Sequence, residues 1–270
     1  MAVSIKSARE IELMREAGKR LAHVHQELEA MIAPGISTWE IDAKGEKLIR
    51  DCGCIPNFLH YNGYPASICV SVNDEVVHGI PRKDRYLKEG DIVSLDAGLI
   101  YKGYHSDAAR THAVGKVSTE AQKLMDVTKQ SFFEGIKMAK EGQHLHDISR
   151  AIEEYVTPYG YGIVRDLVGH GIGTALHEDP QIPNYAQKRR GVRLQAGMTL
   201  AIPNYEMNRK GVLLKAGMTL AIEPMINAGT WQVRFLRDGW TVVTKDGSLS
   251  AHYENTILVT DGEPEILTLY

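Results

Sequence analysis

Cysteine is scarce in this 270-residue chain: there are three, an odd number, and Cys52 and Cys54 stand too close together for a zinc knuckle. Disulfide and structural-zinc frameworks are therefore set aside, and a reducing cytoplasmic setting is the expectation. The opening MAVSIKSARE lacks the apolar stretch of a signal peptide. Nowhere do about 18 apolar residues follow one another, so no membrane partner is expected. Charge of one sign is also lacking: 31 basic against 34 acidic side chains leave a formal net charge of -3, which argues against nucleic acid as a partner. No G-x-S-x-G elbow or Walker loop occurs, and GHGIG around His170 lacks the third glycine of a dinucleotide fingerprint.

What is present reads as one domain, residues 1–270, because no low-complexity linker divides it. Ser7 to Glu10 is a capping-box pattern opening a helix to about residue 31, with Ile11, Met14, Ala17 and Leu21 on one face. Pro34-Gly35 stops it, and Ser37 to Glu40 opens a second helix to about residue 52. Strand-like segments follow through residue 114, then a helix from Thr119 and another from about Asp147 to Val156. A shift of 107 residues lays Met31 on Met138, Gly35 on Gly142 and Ile41 on Ile148. The chain is thus expected to consist of two pseudo-symmetric halves, about 1–115 and 116–270.

DIVSLDAGLIYKGYHSDAAR reads as a hairpin about a Lys102-Gly103 turn. A two-residue turn sets Asp96 opposite Ala109 and makes Asp107 a diagonal neighbour of Asp96 on the same face. Solvated strand ends would explain an arbitrary pair of aspartates. Asp96, however, lies among Val93, Leu95, Leu99 and Ile100, where an unpaired carboxylate costs several kcal/mol or takes up a proton. A buried acidic pair calls for metal.

VGHGIGTALHEDP adds His170 and His177. GMTLAIEPM puts Glu223 at the end of an apolar run closed by Pro224. In GSLSAHYENTILV, read as one strand, Ser250, His252 and Glu254 share a face. Asp96, Asp107, His170, Glu223 and Glu254 together offer four carboxylates and an imidazole, and two divalent cations would balance that charge. Oxygen-rich ligation with one imidazole suits manganese, iron(II), cobalt or zinc.

These segments resemble the type I methionine aminopeptidases of bacteria, through SIKSAREIELMREAGK, NGYPASICVSVNDEVVHGIP, SLDAG, GYHSDAAR, GHGIGTALHEDP, GMTLAIEPM and DGWTVVTKDGSLSAHYENT in that order. The likeness implies an α+β pita-bread fold with a pseudo-two-fold axis, a central antiparallel sheet and outer helices. It implies two divalent metal ions (Co, Mn, Fe or Zn) on Asp96, Asp107, His170, Glu223 and Glu254, with Asp107 and Glu254 bridging. It assigns catalytic parts to His78, His177 and Glu223, Glu223 also acting as general base. A methionine pocket would be formed by Phe58, Tyr61, Tyr64, Cys69, Leu176 and Trp240, with His78 and His177 also touching substrate. Phe58, Leu176, His252 and Asn255 depart from the residues the family commonly has there. The implied activity is removal of the initiator methionine from nascent chains whose second residue is small, by attack of a metal-activated water. Nascent polypeptide N-termini, and the ribosome that presents them, are the implied partners. The extra N-terminal domain of prolidases and the insertion of type II enzymes between the last two glutamates are not expected.

One feature departs from that pattern. Residues 183–202 and 203–222 match at 14 of 20 positions, and the copies then diverge into Pro203-Asn204 and Glu223-Pro224. The offset is even, so either copy could fill one strand slot without changing which face is buried. Proline would then replace the Glu223 carboxylate. The expectation is that the second copy takes the catalytic strand while residues 183–202 loop out near the site rim, either as a tolerated insertion or as a surface through which the monomer dimerises. Should the insertion disrupt the site, a non-catalytic peptide-binding module on the same fold is the alternative.

Overall fold

Two serine-capped helices lead the chain. In α1, Ala8–Glu29, the Ser7 hydroxyl accepts from the Glu10 amide and the Glu10 carboxylate accepts from the Ser7 amide at 2.7 Å; α2, Thr38–Asp51, repeats the device with Ser37 and Glu40. A computed structural model describes residues 3–186 and 211–269 of the chain. A second helix pair, α3 at Thr119–Ile136 and α4 at Leu145–Val156, follows the first set of strands. The α4 helix starts two residues before the expected Asp147, whose carboxylate accepts from the amide of His144 at its N-cap.

The strands that matter for the site are β1 (Ile68–Val72), β2 (Ile92–Tyr101), β3 (Tyr104–Ala113), β4 (Gly169–Gly171), β5 (Glu178–Ile182), β6 (Thr219–Ile222), β7 (Met225–Asn227), β8 (Ser250–His252) and β9 (Glu254–Leu258). Among the described residues a nine-stranded antiparallel sheet runs β2, β3, β9, β6, β4, β5, with β1 paired on β2 and short strands on β2 and β9. The β7 and β8 strands pair in a separate small sheet.

The β2–β3 hairpin has the expected two-residue turn. Lys102 and Gly103 adopt φ of 50° and 84°, the left-handed pair that lets a tight turn follow the twist of its strands. Asp96 therefore lies opposite Ala109, and Asp107 opposite Gly98.

One face of the sheet is covered by the helices. Leu21, Val24 and Leu28 of α1 and Ile41 and Ile49 of α2 are fully buried against Val93, Leu95 and Leu99. Leu124, Phe132, Ile148 and Ile152 of the second pair bury Leu220, Ile222 and Ile257. Each such side chain contributes about 1.5–3 kcal/mol by leaving water. The opposite parity of these strands is left for chemistry.

One expectation changes. Residues 250–258 are not one strand: β8 and β9 belong to different sheets and part at Tyr253, whose ring packs against Phe132 at 5.4 Å. The strand slot that the second copy fills is also short, since a turn at Lys215 to Met218, with Gly217 at φ 89°, leaves only Thr219–Ile222 extended.

Of the duplicated segment, β6 comes from the second copy. The start of the first copy does not loop out, because Asn184 is fully buried and the Pro183 carbonyl accepts from Ser149 Oγ. Residues 187–202, on which the rest of that expectation falls, lie outside the described residues, as does any dimer surface they would form.

Candidate metal centre

Register alone gathers the cluster. Cys69 pairs with Asp96, Asp96 with Ala109 and Ala109 with Glu254, so these side chains share one face across β1, β2, β3 and β9. Thr256, two residues beyond Glu254, pairs with Ala221, which pairs with His170. Asp107 and Glu223 have the same parity as Ala109 and Ala221. All five predicted acid and histidine residues therefore emerge on the face turned away from the helices. Small neighbours keep room between them: a methyl added at Gly98 would meet Asp107 Oδ1 at 3.0 Å and Asn57 Nδ2 at 2.5 Å.

The five residues line a cavity of about 270 Å³. Asp107, His170 and Glu254 are buried, whereas Asp96 and Glu223 keep contact with the cavity. His170 Nε2 is 4.0 Å from Asp107 Oδ2 and 4.0 Å from Glu223 Oε1. Its Nδ1 is 2.9 Å from the Gly171 carbonyl, a contact that puts the ring proton on Nδ1 and leaves the Nε2 lone pair facing the carboxylates. Asp96 Oδ1, Asp107 Oδ1 and Glu254 Oε1 are buried with no hydrogen-bond partner.

Burial dominates the electrostatics. It pushes the Asp96 carboxyl up to about 7, with Glu223 adding repulsion, and Glu223 up to about 8. Asp107 and Glu254 are raised well above the ordinary carboxylate range, first by burial and then by the other acids of the cluster. Burial, then the adjacent His177 ring, lowers His170 to about 3.

These residues fit divalent cations. Separations of 4.0 Å are too long for hydrogen bonds, but two donors each about 2.1 Å from one ion stand roughly 3 to 4.2 Å apart. Asp107, His170 and Glu254 bring donor atoms within 4.8 Å of one another, as do Glu223, His252 and Glu254. Cations among them would partner the orphaned oxygens and offset their repulsion.

The predicted pocket residues line the same cavity. Phe58, Tyr64, Cys69 and Leu176 are buried, and Trp240 meets Tyr64 edge-on at 5.1 Å. Tyr61 and His177 are linked by a 2.8 Å hydrogen bond between the hydroxyl and Nδ1, and His177 lies 4.4 Å from the ring of His170. His78 faces Trp240 edge-on, with φ of 58°, and burial lowers it to about 4.

Sequence reasoning missed Asn62 in the cavity wall and the aim of His252 into the cluster. Parity with Glu254 was the available signal for His252. The departure at Asn255 also gains a setting: its Oδ1 accepts from Arg110 Nη2 at 2.5 Å and from Thr268 Oγ1 at 2.9 Å, while Arg110 also donates to the Glu254 carbonyl. That buried network fixes the backbone on which Glu254 is carried.

Residues 12–210 match the model of Metallopeptidase family M24. A methionine aminopeptidase of Clostridium acetobutylicum is 50% identical over 267 residues, covering 99% of each chain, and methionine aminopeptidase 1 of Bacillus subtilis is 48% identical over 97% of this chain and 98% of its own. The crystal structure of methionine aminopeptidase from Thermotoga maritima superposes with a TM-score of 0.90 at 43% identity, covering 100% of both chains. The family match ends before Glu223, whereas the matches to these relatives cover 97–100% of this chain. The chain belongs to the metallopeptidases of this family and, within it, to the bacterial type I methionine aminopeptidases, with their pita-bread fold.

Proposed function

We propose that the chain removes the N-terminal methionine from nascent polypeptides whose second residue is small, using two divalent cations held by Asp96, Asp107, His170, Glu223 and Glu254. The observation that carries this reading is the convergence of those five side chains on one cavity that is also lined by Phe58, Tyr64, Cys69, Leu176 and Trp240, a set suited to an unbranched thioether. Bound there, the cations would supply Lewis acidity and a water acidic enough to act as nucleophile near neutral pH.

The chain's own groups do the rest. Phe58, Tyr64, Cys69, Leu176 and Trp240 enclose the methionine side chain and exclude water from it. Glu223, at the cavity surface, takes a proton from the attacking water and passes it to the departing amine. The Tyr61 hydroxyl lies 2.8 Å from His177 Nδ1, and in the tautomer where the hydroxyl donates, His177 carries its proton on Nε2 and can donate to the scissile amide. His78, kept neutral by burial, offers a second donor across the cavity. We place this work in the cytoplasm, on chain ends presented at the ribosome.

Incubation of a Met-Ala-Ser peptide with the protein and manganese or cobalt tests the proposal. Methionine release is expected, reduced by about 100-fold or more in Glu223→Ala. Peptide binding without turnover under any divalent ion would instead mark a binding module.

A further inference from the structure

His252 has no part in the mechanism above, yet it is 1% exposed and neither ring nitrogen has a hydrogen-bond partner. Buried polar atoms without partners are uncommon and costly. The Nε2 atom lies 3.5 Å from Glu223 Oε2 and 4.0 Å from Glu254 Oε2. His170 Nε2 stands in nearly the same relation to Asp107 Oδ2 and to the other oxygen of Glu223. Glu223 thus presents one oxygen to each imidazole. Glu254 belongs to both groups of donors that come within 4.8 Å of one another.

Resting on the metal-binding reading of this cavity, we propose that His252 is a sixth protein ligand, so that each of the two cations has an imidazole of its own. A hydrogen bond does not explain the spacing: the second contact exceeds hydrogen-bond length. Two donors sharing one ion fall in this range. The imidazoles differ in support, because His170 Nδ1 is held by the Gly171 carbonyl and His252 Nδ1 has no such partner. His252 therefore belongs to the weaker of the two sites. A nitrogen donor among the oxygens also favours cobalt or zinc over manganese at that site.

Proton NMR of the full chain loaded with two equivalents of Co(II) counts imidazoles directly, as hyperfine-shifted N–H signals that vanish in D₂O. Two such signals are expected in the unsubstituted protein and one in His252→Gln. Calorimetric titration with Co(II) should show the weaker of two affinities falling about tenfold or more in that variant. A single signal from the unsubstituted protein with two ions bound would overturn the proposal while leaving the five-ligand site intact, and that result needs no variant to fold. Two signals surviving in His252→Gln would overturn it as well. Failure of the unsubstituted protein to bind any divalent ion would overturn both this proposal and the reading beneath it.

Discussion

The side-chain amide of Asn184 donates to the backbone carbonyl of Glu223 at 3.0 Å, joining the start of one copy of the repeat to the residue that follows the other. Residues 183–186 of the first copy and 211–222 of the second are both built into the fold. Tyr185, Val212, Leu214, Met218, Leu220 and Ile222 all pack in the same core. One copy's worth of sequence therefore furnishes the described structure around the site.

Deleting residues 191–210, which joins Arg190 to Gly211, restores a single uninterrupted copy. Methionine release is expected to stay within about threefold. Stability should be equal or higher, by up to about 1.5 kcal/mol, because a shorter connection between residues 186 and 211 costs less entropy to close. Urea unfolding and a peptide assay measure both, and loss of folding or of metal binding would mean that the longer connection is required.

Gly98→Ala probes the spacing of the cluster. Its methyl would press on Asp107 Oδ1 and Asn57 Nδ2, and Asn57 is held in turn by the Ser106 carbonyl. A loss of about 1–3 kcal/mol of stability is expected, with metal affinity lowered about tenfold or more. Gly262→Ala, where the added methyl meets nothing nearer than 3.9 Å, should change neither quantity. Calorimetric metal titrations of the two variants decide the matter.

The raised carboxyls set a pH signature. Burial raises the Asp96 and Glu223 carboxyls of the folded, metal-free chain to about 7 and about 8, against about 4 when unfolded. Between those values the folded form binds more protons, so stability is fully present below pH about 4 and is lost as pH rises toward 8. Cations displace those protons, so their stabilising effect grows with pH. Melting with and without cobalt at one fixed concentration, about a hundred times its Kd at pH 8, should differ by roughly 5–10 °C at pH 8 and by little at pH 5, where protons compete for the same oxygens. A metal effect that shrinks as pH rises would contradict the assignment.

The Asp96–Ala109 register was legible because a Lys-Gly turn of two residues leaves no freedom in the pairing of β2 with β3. Once one carboxylate was assigned to the inward face, parity assigned the other. The capped helices were legible for a similar reason, since serine and glutamate three residues apart act locally. The break at Tyr253 was not: alternation continues through it, and what separates β8 from β9 includes the packing of that ring on α3, a contact between residues far apart in the chain. The β6 strand, buried on both faces at Thr219 and Ala221 as well as at Leu220 and Ile222, likewise outran a reading based on one apolar face. His78 and the pocket came through the resemblance to a known family, because no local pattern distinguishes them from ordinary core residues.

The most direct test of the central claim is methionine release from Met-Ala-Ser by metal-stripped protein during stepwise addition of cobalt or manganese. Activity is predicted to be absent without metal, to rise and saturate as ions are added, and to be abolished in Asp107→Asn at the same metal concentrations. Release that proceeds in the presence of a strong chelator, or that survives in Asp107→Asn, would contradict the account.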